Sequence, residues 1–190
     1  MIPEVRSRLS LKGKTVAITR PEKQAEELAE LISRLGGTPY LVPTIEIKPQ
    51  RNERLVTRLL NRILDEQIDF LIVMSVNSVT SLVENLEKLG LKDKFLEKLN
   101  KIIVIAIGPK TQREVEKRGI KVNIVPSTYS SEGIVESLKK TDLQEKTAVI
   151  LCSNKSSRHL PRELEKLGVK VLEVPIYERT PPADHRKVLA

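Results

Sequence analysis

Hydroxyl and amide side chains gather directly after the apolar runs of this 190-residue chain, and that placement is its first chemical signal. Ser75, Asn77 and Ser78 follow FLIVM, Gly108 to Thr111 (GPKT) follow IIVIAI, Ser130 and Ser131 follow VNIVPSTY, and Ser153, Asn154, Lys155, Ser156 and Ser157 follow TAVIL and its cysteine. If each run is a strand of an open parallel sheet, these residues stand at strand carboxyl ends, where ligands bind and helix N-termini offer free amides. Two roles suit them. Ser, Thr and Asn cap the orphan amides of a first helical turn, and as a group they hydrogen-bond an anionic ligand such as a polycarboxylate.

Other chemistries fall away. GPKT has the tail of a phosphate-binding loop, but strand residues Ile103 and Val104 stand where the loop needs its earlier glycine, and no Gly-x-Gly-x-x-Gly follows any strand. His159 has no Ser or Cys partner pattern for a nucleophilic triad. Cys152 is the single cysteine and His159 and His185 the two histidines, so no disulfide within the chain and no metal cluster is expected, and no cofactor. The net charge of +8 points to an anionic partner. Nucleic acid is not expected, because Lys and Arg are interspersed with Glu and only 3% of residues are aromatic, too few for base-stacking platforms. No apolar run reaches the roughly 20 residues that span a bilayer, and no leader pattern opens the chain, so a cytoplasmic location without membrane contact is expected. Abundant Lys and Glu beside little Cys and Met fit a thermophile's composition.

The elements that must position these residues alternate between β-branched runs and amphipathic stretches, the pattern of strands and crossover helices in an α/β fold. Strands are predicted at 15–19, 39–47, 70–74, 102–107, 122–125, 147–151 and 169–177. Helices are predicted at 24–35, 51–64, 76–89, 111–118, 132–139 and 159–167, several closed by Gly36, Gly90, Gly119 or Gly168. A shift of 132 positions places Lys14, Thr15, Ile18, Leu28, Leu35, Gly36, Val42, Pro43, Glu46 and Pro49 on identical residues, from Lys146 to Pro181. The matches sit at core, helix-stop and turn positions, as a duplicated strand, helix and strand would place them. About three βα units that follow the first copy have no counterpart after the second. A fragment, a degenerate form, or a chain completed by another chain would each explain this.

GKTVAITRPEKQAEEL, LGGTPYLVPTIEI, DFLIVMSVNSV, IAIGPKTQREVEKRGIKVNIVPSTYSSEGIVESL and LGVKVLEVPIYER, in that order, resemble uroporphyrinogen-III synthases along nearly the whole chain. The resemblance implies two flavodoxin-like lobes with parallel sheets, joined by a two-stranded connector. Residues 1–38 and 182–190 would form a first, incomplete lobe, 39–49 and 171–181 the connector, and 50–170 the second lobe. It also implies a cofactor-free monomer that closes hydroxymethylbilane, a linear octacarboxylate tetrapyrrole, into a ring with the last pyrrole inverted and water lost. Tyr177, in VPIYER, matches the family's connector tyrosine and would protonate the leaving hydroxide; packing within the strand is its other role. Thr111 and Ser75 match a threonine and a serine that would bind carboxylates, and Arg20, in ITRPE, would pair with a propionate or acetate or cap local carbonyls. Asn77, Ser130, Ser131, Ser153 and Asn154 complete the expected binding set. The family often carries Gly and Arg after the strand matched by 147–151, where this chain has Ser153 and, later, Arg158. A non-catalytic tetrapyrrole-binding or regulatory module on the same scaffold is the alternative.

Overall fold

A computed structural model describes residues 10–50 and 52–182. Segments 1–9 and 183–190 of the expected first lobe, with His185, and Arg51 at the expected start of the second helix, lie outside the described residues. The described residues fall into two compact units, one reaching to Lys48 and resuming at Arg179, the other Pro49–Glu178.

The first unit contains β1 (Thr15–Ile18), α1 (Glu26–Arg34) and β2 (Thr38–Leu41). Its strands pair in parallel from Thr15↔Thr38 to Ile18↔Leu41, and Ile18, Ala25 and Ile32 form a small core. β3 (Glu46–Pro49) opens the path to the second unit, which continues with α2 (Glu53–Asp65), β4 (Phe70–Val73), α3 (Val76–Lys88), α4 (Lys92–Leu99) and β5 (Ile103–Ala106). It then carries α5 (Pro109–Lys117), α6 (Ser131–Leu138), β6 (Thr147–Ser153), α7 (His159–Lys166) and β7 (Lys170–Thr180). The sheet runs β3-β7-β6-β4-β5, and the ladders between β4, β5, β6 and β7 are parallel.

Parallel strands are covered on both faces, so they read as continuous apolar runs; all four residues of β4 are buried, as are the last six of β6. The helices supply the cover through residues three and four apart, such as Val56, Leu59, Leu60 and Ile63 of α2. Burying each such side chain contributes about 1.5–3 kcal/mol. At the amino ends of the strands, Asp69 aligns β4 with β6: its carboxylate accepts from the Thr147 amide at 2.9 Å and from Lys146 at 3.1 Å. No helix among the described residues is long and apolar enough to cross a membrane.

The 132-residue offset holds at the level of single hydrogen bonds. The Thr15↔Thr38 register of β1 and β2 has its mate in Thr147↔Lys170 of β6 and β7. The Thr38 amide donates to the Lys14 carbonyl at 2.8 Å and the Lys170 amide to the Lys146 carbonyl at 2.7 Å; the Gly37 amide donates to Ile32 and the Val169 amide to Leu164. Gly36 and Gly168 both take φ near +80° (79° and 84°), the left-handed turn that lets each helix end and the chain re-enter the sheet. The copies differ in their neighbours. β6 is flanked by β4 and β7, whereas β1 pairs with β2 alone among the described residues.

Several predicted elements change. The expected strand at 39–47 is two strands with Pro43 in the gap between them, and the run 122–125 makes one bridge, Ile105↔Ile124. Asn123 explains the second case: its side-chain oxygen accepts from the Val104 amide at 2.9 Å, replacing a ladder bond. α4 was not predicted. Numbered along the chain from β4, the strands β5, β4, β6 and β7 lie in the order 2-1-3-4, the first four places of the flavodoxin pattern 2-1-3-4-5, with β3 in the place beyond β7. The order reverses between β4 and β6, and a sheet of this kind opens its ligand crevice beyond the carboxyl ends at such a point.

Candidate functional site

At the carboxyl ends of β4, β6 and β7 the second unit holds three hydroxyls in line. Ser75, in extended backbone just past β4, is the N-cap of α3, and its Oγ accepts from the Ser78 amide at 3.1 Å. The same oxygen lies 3.0 Å from Ser78 Oγ and 3.2 Å from the Tyr177 hydroxyl. Ser78 Oγ in turn donates to the Leu151 carbonyl of β6 at 3.1 Å. Tyr177 is 6% exposed and Ser78 is fully buried, while Ser75 between them is half-buried, and hydrogen bonds strengthen where water is largely excluded.

A β-bulge brings Tyr177 there. Cys152 pairs with Pro175, yet the next residue, Ser153, pairs with Tyr177, so Ile176 is an extra residue in β7. A one-residue step exchanges the faces that successive side chains occupy, and bulges are frequent where a strand must re-aim a side chain beside a site. The Asn154 amide fixes the far side of the bulge by donating to the Tyr177 carbonyl at 3.1 Å.

The remaining expected residues divide by what they already hold. Ser130 caps α6 through the Gly133 amide at 3.2 Å, and Ser131 begins that helix, half-buried. Ser153 closes a tight turn in which its amide donates to Ser156 Oγ at 2.9 Å and its Oγ accepts from the Lys155 amide. Asn154 is exposed and Asn77 half-buried in the first turn of α3. Thr111 differs: it is only 5% exposed. It lies in the first turn of α5, whose N-cap Gly108 has no side chain to cap it, so free amides with partial positive charge remain there. Arg20 belongs to the first unit, exposed in the segment after β1. The second unit therefore joins Ser75 and Tyr177, with Asn77 in the helix turn that Ser75 caps and Ser153 and Asn154 beside Tyr177 at the bulge, while Thr111, Ser130 and Ser131 stand at other junctions and Arg20 lies in the first unit.

Two residues escaped the expected set. Ser78 was legible only as another junction hydroxyl, because its contact with Leu151 depends on which strand lies beside β4. Tyr129 is 62% exposed at the same edge of the sheet, and a Cβ on Gly108 would come within 3.3 Å of its ring. An aromatic residue at a strand end of a chain with three tyrosines was the signal available. His159 pairs with Glu132 at 2.9 Å, and the Glu132 carboxyl is held below the usual range first by its hydrogen bond from Ser130. Neither contributes to the hydroxyl cluster.

Cys152, one residue before the bulge, is a packing group. Burial, reinforced by the Glu173 charge, pushes its thiol from 9.0 to about 11. The thiolate that reacts with disulfide reagents is therefore disfavoured in the folded protein, and Cys152 is expected to react only upon unfolding; stoichiometric labelling of the folded protein at neutral pH would overturn this. Because the folded state holds the proton more tightly, this stabilisation is complete below pH 9 and is lost as pH rises through about 11.

Open α/β proteins with hydroxyl-lined strand ends are the class that this geometry defines. A sequence profile described as uroporphyrinogen-III synthase HemD matches residues 26–190, so the chain belongs to the uroporphyrinogen-III synthase family. A Methanothermobacter thermautotrophicus protein provisionally named uroporphyrinogen-III synthase is 33% identical over 170 residues, covering 89% of this chain and 64% of its own length. A uroporphyrinogen-III synthase from Chlorobaculum parvum is 23% identical over 172 residues, covering 90% and 65%. A crystal structure of a mutant uroporphyrinogen III synthase from the extremely thermophilic bacterium Thermus thermophilus has the same fold, with TM-score 0.68 and 21% identity over 92% of this chain and 65% of that one. The chain thus spans just under two thirds of the length of these relatives.

Proposed function

We propose that this chain carries out uroporphyrinogen-III synthase chemistry: it binds hydroxymethylbilane, promotes loss of the terminal hydroxyl as water, and closes the macrocycle with the last ring inverted. The observation that carries the reading is the Tyr177 phenol, hydrogen-bonded to Ser75 beside the reversal of strand order, in the motif where the family resemblance expects a proton donor. Thr111, buried in the first turn of a helix whose N-cap has no side chain, suits a substrate carboxylate. Ser130, Ser131, Ser153, Asn77, Asn154 and Arg20 are the remaining candidates for the octacarboxylate. We read the protein as a cytoplasmic monomer of two lobes joined by strands 39–49 and 171–181. The first lobe is read as incomplete because, among the described residues, β1 has one neighbour where its repeat mate β6 has two, and because the relatives are longer.

Holding the two ends of a flexible tetrapyrrole together can lower a barrier by about 7–11 kcal/mol, whereas one general acid contributes about 10²–10⁴-fold in rate. Shape therefore dominates the choice of isomer, and the phenol mainly sets speed. The test is incubation with freshly made hydroxymethylbilane and separation of the isomers. The unaided reaction gives type I; type III above that background is expected. Type I alone, both from this chain and from one extended to the relatives' full length, would overturn the proposal. The span of just under two thirds favours one other reading, a tetrapyrrole-binding module without catalysis, which predicts uroporphyrinogen binding with no type III formed.

A further inference from the structure

The three hydroxyls at the ends of β4, β6 and β7 have only one arrangement of protons that satisfies every contact. The Leu151 carbonyl can only accept, so the Ser78 O–H is committed to it. The contact between Ser75 Oγ and Ser78 Oγ must then be donated by Ser75. With that proton used, the contact between Ser75 and Tyr177 must be donated by the phenol. Ser75 Oγ, accepting from Tyr177 and from the Ser78 amide, has both lone pairs filled. The chain thus runs Tyr177 to Ser75 to Ser78 to Leu151, and the phenolic proton points into the protein.

We propose that this is a reversible hydroxyl chain, with Ser75 and Ser78 as positioning residues that aim Tyr177 and then support it when it gives up its proton. The catalytic half rests on the reading of Tyr177 as the proton donor, whereas the resting direction of the chain does not. When a ligand hydroxyl reaches the phenol, all three O–H groups can turn together: Ser78 donates to Ser75, Ser75 to Tyr177, and Tyr177 to the ligand. Each hydroxyl still donates once, so the reversal exchanges the Ser78–Leu151 bond for the bond to the ligand. The ligand's carbon–oxygen bond breaks with its electron pair on oxygen, which takes the phenolic proton and leaves as water, while the adjacent pyrrole nitrogen supplies electrons to the methylene carbon. The phenolate is held by the Ser75 O–H. It regains a proton when the attacking pyrrole carbon releases one after ring closure. Ser75 Oγ is filled by protein partners, so its geometry points to this role ahead of carboxylate binding.

Raman spectra read the first half directly, since the intensity ratio of the tyrosine ring doublet reports whether a phenol donates or accepts; subtracting the Tyr177→Phe spectrum isolates Tyr177. Wild-type Tyr177 is expected to be a donor. In Ser78→Ala, Ser75 loses its acceptor and its proton turns to the phenol, so Tyr177 is expected to become an acceptor, with the Ser75 cap of α3 intact. An unchanged donor signature in Ser78→Ala, or no donor signature in the wild type, overturns the inference whatever the isomer assay gives. In the isomer assay, Ser75→Ala is expected to lower kcat about 10- to 100-fold at unchanged KM, the loss of one hydrogen bond to a developing charge, and Ser75→Thr to restore it. A rise in KM with kcat retained would return Ser75 to substrate binding and overturn its positioning role. Absence of type III from the wild type would instead overturn the catalytic reading and leave the spectra to judge the chain.

Discussion

Replacing Gly133 by alanine is expected to destabilise the protein by about 3 kcal/mol, although alanine favours a helix interior over glycine by about 1 kcal/mol. Gly133 lies in the first turn of α6, where a Cβ would sit 1.9 Å from the Thr128 carbonyl oxygen and 2.8 Å from its carbon. These are backbone atoms, so no side chain can rotate away. Thr128 is pinned as well, because its carbonyl accepts from the Ser130 amide at 2.8 Å, and Ser130 Oγ accepts from the Gly133 amide. Relief of the overlap must open the turn from Pro126 to Ser130 or break the cap, and α6 carries Ile134 and Leu138 into the main core. For a chain of this size the loss corresponds to a melting temperature lower by roughly 10 °C. Thermal unfolding of Gly133→Ala checks it by sign: a stabilised variant would mean that the turn yields freely.

How much of this was legible beforehand depends on the range of the interactions involved. β4, β5 and β6 could be read because a strand covered on both faces must be apolar along its length, as Phe70–Val73 is. The repeat was legible because Gly36 and Gly168, Thr15 and Thr147, and their neighbours hold equivalent turns and registers. α4 escaped because KDKFLEKL buries only Phe95 and Leu99, one helical turn apart, among charged residues. The strand at 122–125 failed through one side chain, Asn123, competing with the ladder. Pro43 and its repeat mate Pro175 show the limit most clearly: the first lies between two strands and the second lies inside β7, just before the bulge. The junction hydroxyls could be recognised as a class from their spacing. Their division into caps, a tight turn, a buried threonine and a serine that meets the phenol could not, because Ser75 meets Tyr177 across 102 positions only once β4, β6 and β7 are ordered and the bulge is in place.

Tyr177→Phe is expected to slow formation of the type III isomer by about 10²-fold, near 2.7 kcal/mol of barrier, with KM unchanged. The phenyl ring fills the same buried space, and the folded protein loses one hydrogen bond, about 1 kcal/mol. The defect should therefore appear in kcat while melting moves by a few degrees. Product identity separates acid catalysis from shape control. If the fold holds the two ends of the substrate, whatever the variant converts is still type III, and type I increases only as the slowed enzyme falls behind the unaided closure. Raising the enzyme concentration should then restore the type III fraction in proportion. A fixed admixture of type I at every enzyme concentration would place Tyr177 in the steering of ring inversion, and an unchanged rate would remove it from the chemistry. The size of the effect also ranks the residues: each hydroxyl at the strand ends offers one hydrogen bond to a polycarboxylate that has many, so its loss is spread over the remaining contacts, whereas no second phenol stands within reach of Ser75 among its hydrogen-bond partners.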